Sequence, residues 1–174
     1  MTVAASNVST NLGFLCVQQE PNGFVGGYLV TNAWGRPLEF RLSSAVQPNK
    51  VQAILYGDTL PRYLCGEIIG KTLVDKTSTP AQWILVDNAM TLDIRLRVDI
   101  PIALWRAPID ADDAAPGLLV QPRIFCHKDY PQDVAKLRES IDKLGSFDFA
   151  EPFARIREAM NEARKLGVAT RAAA

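Results

Sequence analysis

GFVGGYLVTNAWGRPLEFR, residues Gly23 to Arg41, decides how the chain begins to build a sheet. Phe24 to Thr31 is rich in aromatic and β-branched residues, which suit a pleated, half-buried surface. Asn32-Ala33-Trp34-Gly35 supplies turn chemistry, and Pro37 to Leu42 alternates apolar with polar side chains. Two strand-like runs joined by a short Gly-containing loop predict a β-hairpin with Trp34 at its tip. Upstream, Leu12 to Gln19 reads as a further strand closed by Pro21-Asn22-Gly23, so the chain opens on a three-stranded meander.

Beyond the hairpin the period changes. Pro48 suits a first helical turn, Val51, Ile54 and Leu55 share one face, and Gly57 stops the helix. Leu60 to Val74 repeats Leu64, Cys65, Ile68, Ile69 and Leu73 at three- and four-residue spacing, which predicts a buried helix. Gly66 and Gly70 lie on one face of it, where a neighbour's backbone can come close. Gln82 to Val86 reads as a short buried strand. Thr91 to Trp105 then alternates strictly, with Leu92, Ile94, Leu96, Val98, Ile100 and Ile102 on one side, and is read as a half-buried strand. In a competing reading Asp87 caps a helix from Asn88 to Arg97, leaving Ile100 to Trp105 as a separate strand. Ala107 to Gly117 reads as a loop and Leu118 to Phe125 as a strand.

After Pro131, Val134, Leu137, Ile141 and Leu144 mark one amphipathic helix, ended by Gly145. Phe153, Ile156, Met160 and Ala163 mark a second, begun at Pro152 and ended by Gly167. The short Ser146–Phe149 connection predicts an antiparallel helical hairpin. The expected fold is α+β: a mainly antiparallel sheet of five or six strands with helices packed on one face. Residues 11–126 form the core domain and 127–167 a C-terminal helical hairpin packed on it. Residues 1–10 and 168–174 are expected to fray.

The 174 residues are 48% hydrophobic and 22% charged, ordinary values for a chain with a real core. Lys plus Arg equals Asp plus Glu at 19 each, so no bulk basic excess points to nucleic acid. No apolar run is long enough for a membrane span, and no secretory leader is visible. Cys16, Cys65 and Cys126 are odd in number and set among apolar residues, as expected of reduced, buried thiols in a cytoplasmic protein.

Several fragments resemble chemical motifs. Gly66-Glu-Ile-Ile-Gly70-Lys-Thr72 has three residues where a phosphate-binding loop has four, and it lies in a helical pattern. Gly23-Phe-Val-Gly26-Gly27 leads into a strand, whereas a dinucleotide fingerprint leads into a helix. The three cysteines with His127 lack the paired spacing of structural zinc sites, and Asp110, Asp112 and Asp113 lack the terminal glutamate of a calcium loop. No metal and no cofactor are expected. His127, the sole histidine, and Asp129 are the catalytic candidates, since they share a face and an aspartate can orient an imidazole. Cys126, adjacent to His127, points the other way. A solvated strand mouth is the expected place for His127.

Contact surfaces are expected at Trp34 and Arg36, residue types enriched at interface hot spots, and on the C-terminal stripe of Phe153, Ile156 and Met160. The function read from these features is a non-catalytic protein-interaction or assembly module, with a protein partner or a second copy of itself. A small enzyme using His127 and Asp129, or a small-ligand sensor, are the alternatives.

Overall fold

The computed structural model describes residues 10–107 and 123–167. The aspartates at 110, 112 and 113, most of the expected 107–117 loop, the first part of the expected 118–125 strand and nearly all of both termini lie outside them. Six strands form one sheet: β1 (Leu12–Glu20), β2 (Gly23–Thr31), β3 (Pro37–Leu42), β4 (Trp83–Val86), β5 (Ile102–Arg106) and β6 (Arg123–Cys126). Their order is β3-β2-β1-β4-β5-β6. The predicted meander is there, with β1–β2 and β2–β3 antiparallel. However, β4 runs parallel to β1 and β5 parallel to β4, and only β6 turns antiparallel again. The sheet is mixed, not mainly antiparallel, because helical segments carry the chain over the sheet before β4 and before β5, and such crossovers return strands in parallel.

The helical layer is also distributed differently from expectation. α1 (Lys50–Tyr56) leads through a 3₁₀ turn to α2 (Leu60–Arg62), a π-helical stretch Tyr63–Gly70 and α3 (Lys71–Asp75). Of these, the π-helical stretch and α3 pack on one face with Leu15, Val17, Tyr28, Val30, Ile84, Val86 and Ile102. The alternate strand residues Leu12, Phe14, Cys16, Leu29, Trp83 and Leu85 face the other side, where α4 (Asp133–Asp142) and α5 (Ala150–Lys165) lie. Both faces are therefore covered, which explains why β1 and β4 are buried almost without interruption.

α4 sits over β5 and β6, and α5 over β1 and β2. A helical hairpin with its own seam is not what joins them. The Ser146–Phe149 connection fills the space between them with aromatic rings: Phe147 stacks on Phe14 at 6.1 Å, and Phe149 lies 4.9 Å from Phe147. The C-terminal segment thus supplies one face of the core.

Residues 91–101 do not form a strand. A 3₁₀ helix runs from Ala89 to Leu96, opened by Asn88, whose side chain accepts the Met90 N–H at 2.9 Å. Asn88, not Asp87, is the cap. The structure follows the competing helix-then-strand reading, with β5 beginning at Ile102. Thr91 and Ile94, three apart, are buried, as the three-residue turn of a 3₁₀ helix requires.

Two adjacent glycines seat the layers. A β-carbon on Gly26 would lie 2.3 Å from Ile69 Cγ2, and one on Gly27 would lie 2.7 Å from Ile156 Cγ2 on the opposite face. Gly70 and Gly66 let the π-helical stretch approach Ile94 and the backbone beside it. The phosphate-loop-like fragment is thus a helical packing surface. At the sheet edge, the Glu39 carboxylate accepts the N–H groups of Ser78, at 3.0 Å, and Thr79, at 2.7 Å, fastening the connection after α3 to β3.

Gly26→Ala is expected to destabilise the fold by about 1–3 kcal/mol, the usual cost of overpacking, read from the urea midpoint; an unchanged midpoint would show that Ile69 yields freely. The two backbone donors hold the Glu39 carboxyl down from 4.5 to about 2. A lowered carboxyl pKa stabilises above its unfolded value and loses that effect as pH falls through the folded one. The stability gap between the protein and Glu39→Gln should therefore be full at neutral pH, shrink below about pH 4.5 and vanish near pH 2. A gap independent of pH would exclude an ionised Glu39 as its cause.

Candidate functional site

His127 follows β6 and begins a tight turn in which the Tyr130 N–H donates to the His127 carbonyl at 2.9 Å. That turn folds the imidazole inward, so it is 7% exposed rather than solvated at a strand mouth. His127 and Asp129 are brought together, but through the backbone: the Asp129 N–H donates to Nδ1 at 3.2 Å. The Asp129 carboxylate stands 3.7 Å from Nδ1 and is largely exposed. On the other side, Nε2 lies 3.5 Å from Asp93 Oδ1, which also accepts from Arg62 at 3.2 Å. Together with Leu92, Leu96, Cys126 and Lys128 these residues line a cleft of about 540 Å³.

The chemistry open to this cleft follows from where the lone pairs point. A neutral imidazole has one acceptor nitrogen, and here Nδ1 spends it on the Asp129 N–H. With that lone pair engaged, Nε2 stands 3.5 Å from Asp93 Oδ1 at the cleft wall. A general base needs its free lone pair directed at substrate, as a triad histidine has. His127 instead directs its Nδ1 lone pair into its own turn. Burial, reinforced by Asp133, raises the half-buried Cys126 thiol to about 11. Cys16 rises to about 12 through burial and the nearby Asp87, and Cys65 to about 11 through burial. All three are free thiols, and no cluster of three or more possible metal ligands occurs among the described residues.

Behind the cleft lies an ion pair that sequence reading missed. Arg95 Nε donates to Asp133 Oδ2 at 2.7 Å, with both side chains buried, and Arg95 Nη1 donates to the Val98 carbonyl at 3.0 Å. The guanidinium lies 3.8 Å from the centre of the Tyr130 ring. This pair joins the 3₁₀ helix to the first turn of α4, where a carboxylate is favoured by the helix dipole. Alternation along 91–105 predicts Arg95 on the side opposite Leu92 and Ile94, whereas the 3₁₀ helix buries it.

The hairpin tip is the second locus. Asn32 Oδ1 accepts the N–H groups of both Trp34 and Arg36 at 3.0 Å, and the Gly35 N–H donates to the Asn32 carbonyl at 3.0 Å. Gly35 takes φ +79°, a conformation that suits glycine. Arg155 of α5 donates to the Gly35 carbonyl at 2.9 Å, tying the turn to the helix layer. On this pinned turn Trp34 is 86% exposed. Beside it a cleft of about 410 Å³ is lined by Gly35, Ser146, Phe147, Asp148, Glu151 and Arg155. Phe153, Ile156 and Met160, by contrast, are buried between α5 and the sheet and are spent on the chain's own core.

α1 is a third feature. Asn49 and Gln52 form a reciprocal capping box, so local bonds hold this helix while none of its residues is buried. Val51, Ile54 and Leu55, which share its apolar face, are exposed. No protein-family model, curated protein or solved structure matches the chain.

The thiol environment yields a direct test. A thiol raised from 9.0 to about 11 has roughly 100-fold less thiolate near pH 8 than an unperturbed cysteine. All three cysteines should therefore react with a chromogenic disulfide reagent only after denaturant is added. One fast-reacting native thiol would contradict the inert assignment.

Proposed function

We propose that this chain is a non-catalytic binding module that engages a protein partner through the tip of the β2–β3 hairpin. The observation that carries this reading is Trp34, 86% exposed on a turn fixed by Asn32 and by Arg155. Tryptophan on a pre-ordered turn provides a large contact area without an ordering cost at binding. The adjacent cleft would accept a partner side chain, and Arg36 follows directly in the turn. The engaged lone pair of His127 and the raised thiol of Cys126 speak against catalysis in the other cleft.

The test is affinity capture from the cell of origin with the wild-type chain, Trp34→Ala and Trp34→Phe, the retained partner then being titrated. Trp34→Ala should weaken binding by about 30-fold or more, the range of a hot-spot residue. Its unfolding midpoint should stay within about 0.5 kcal/mol of wild type, as for other exposed positions. Trp34→Phe should retain part of the affinity. Equal binding by wild type and Trp34→Ala would remove the hairpin tip from the interface.

A further inference from the structure

The edge strand β3 has a sequence that reads the same in both directions by chemical class: Leu38-Glu39-Phe40-Arg41-Leu42. We infer that β3 is a self-recognition edge, on which a second copy of this chain pairs antiparallel about Phe40. This rests on the reading of the chain as an assembly module, and supplies a partner for a surface other than the Trp34 tip.

The backbone geometry sets what the edge presents. The Ser43 N–H donates to the directly opposite Gly26 carbonyl at 2.9 Å, which makes that a hydrogen-bonded pair. In an antiparallel ladder such pairs alternate, so Arg41 with Tyr28 and Glu39 with Val30 are also hydrogen-bonded. Phe40 and Leu42 therefore direct their N–H and C=O groups away from β2, and among the described residues no strand pairs with that side. The register shift near Thr31 leaves the run from Glu39 to Leu42 regular.

A second β3 laid across this edge about Phe40 meets matched chemistry at each position. Phe40 faces Phe40 as a hydrogen-bonded pair, and Leu38 faces Leu42. Glu39 of one copy faces Arg41 of the other, and Arg41 faces Glu39, at non-hydrogen-bonded positions where cross-strand side chains lie closest. Each copy already holds Glu39 and Arg41 at 2.8 Å, so the seam gathers two carboxylates and two guanidiniums with no excess of either sign. α5 lies over β1 and β2, and Leu38 and Phe40 remain exposed beside it. Pairing would cover both with their counterparts and join two six-stranded sheets into one. An unpaired edge carrying exposed apolar residues invites such addition.

The experiment uses the full chain. Sedimentation equilibrium from micromolar to submillimolar concentration should show a reversible dimer. Arg41→Glu, which sets four carboxylates at the seam, should weaken dimerisation at least 10-fold, with an unchanged circular dichroism spectrum. Phe40→Cys places two thiols on the two-fold axis, where facing Cα atoms about 5.5 Å apart suit a disulfide. Mild oxidation should link that variant into dimers, and should leave Ala53→Cys, on exposed α1, monomeric on a non-reducing gel. If Arg41→Glu does not fold, the Phe40→Cys cross-link decides alone. A chain that is monomeric throughout, a dimer indifferent to Arg41→Glu, or a cross-link at position 53 but not at 40 would each overturn the inference. Trp34→Ala should dimerise as wild type does. A monomer that still binds a partner through Trp34 would thus overturn this inference alone, whereas a β3 dimer that binds nothing through Trp34 would overturn only the hairpin-tip reading.

Discussion

The closeness of two helical layers to one sheet, set by the pair Gly26-Gly27, is the constraint on which the rest of this structure depends. Adjacent residues on a strand face opposite sides, so two glycines in succession remove a side chain from each face at the same level of β2. Ile69 descends into one vacancy, and Ile156 and Met160 into the other. Without that approach the π-helical stretch and α5 would stand off the sheet and leave voids on both sides. The same requirement recurs where Gly66 and Gly70 meet Ile94, so the layer beneath the sheet is itself tightly stacked. Glycine weakens a strand intrinsically, and its presence here marks close approach rather than flexibility.

What was legible in the sequence was what local chemistry controls. Asn32 to Gly35 announced the turn, and the residues flanking it announced β2 and β3. The apolar spacing of Phe153, Ile156 and Met160 announced α5, and Gly145 and Gly167 mark where the last two helices end, each with positive φ. Sheet polarity was not legible, because nothing in Trp83–Val86 says which neighbour it will join. The run Thr91 to Ile102 misled for a physical reason. Apolar residues at every second position suit a strand, yet Asn88 closes a cap that commits the backbone to a 3₁₀ turn, and a turn of three residues buries a different subset. Leu96, assigned to the buried side by alternation, is exposed, whereas Arg95, assigned to solvent, is buried.

The candidate site shows the same division between composition and geometry. His127, Asp129 and Cys126 have the residue types of a catalytic centre, and sequence proximity does bring His127 and Asp129 into contact. Residue type does not set where the Nδ1 lone pair points; the turn from His127 to Tyr130 does. Asp93 and Arg62, which complete the cleft, come from elements whose positions only the assembled sheet defines. Arg95 and Asp133 are separated by 38 residues and carried no local mark. A buried pair of this kind contributes little net stability against an apolar alternative, but breaking one partner strands a charge. Its role is best understood as register: it fixes how the 3₁₀ helix meets α4, and therefore where the His127 turn can lie.

The surfaces left over after the core is satisfied differ in how they are held. α1 is helical through its capping box and touches the π-helical stretch where Tyr56 stacks on Tyr63, while Val51, Ile54 and Leu55 are exposed. The hairpin tip is anchored twice, by Asn32 within the turn and by Arg155 from α5. Affinity depends on the freedom lost at binding as well as on contact area, so an aromatic residue on the anchored turn is the stronger candidate for a specific contact. The β3 edge that leaves this tip is fixed by its pairing with β2 and by the bonds from Ser78 and Thr79 to Glu39. Recognition at the tip and along the edge would accordingly share one hairpin, whose β2 strand the helical layers approach on both faces at Gly26 and Gly27.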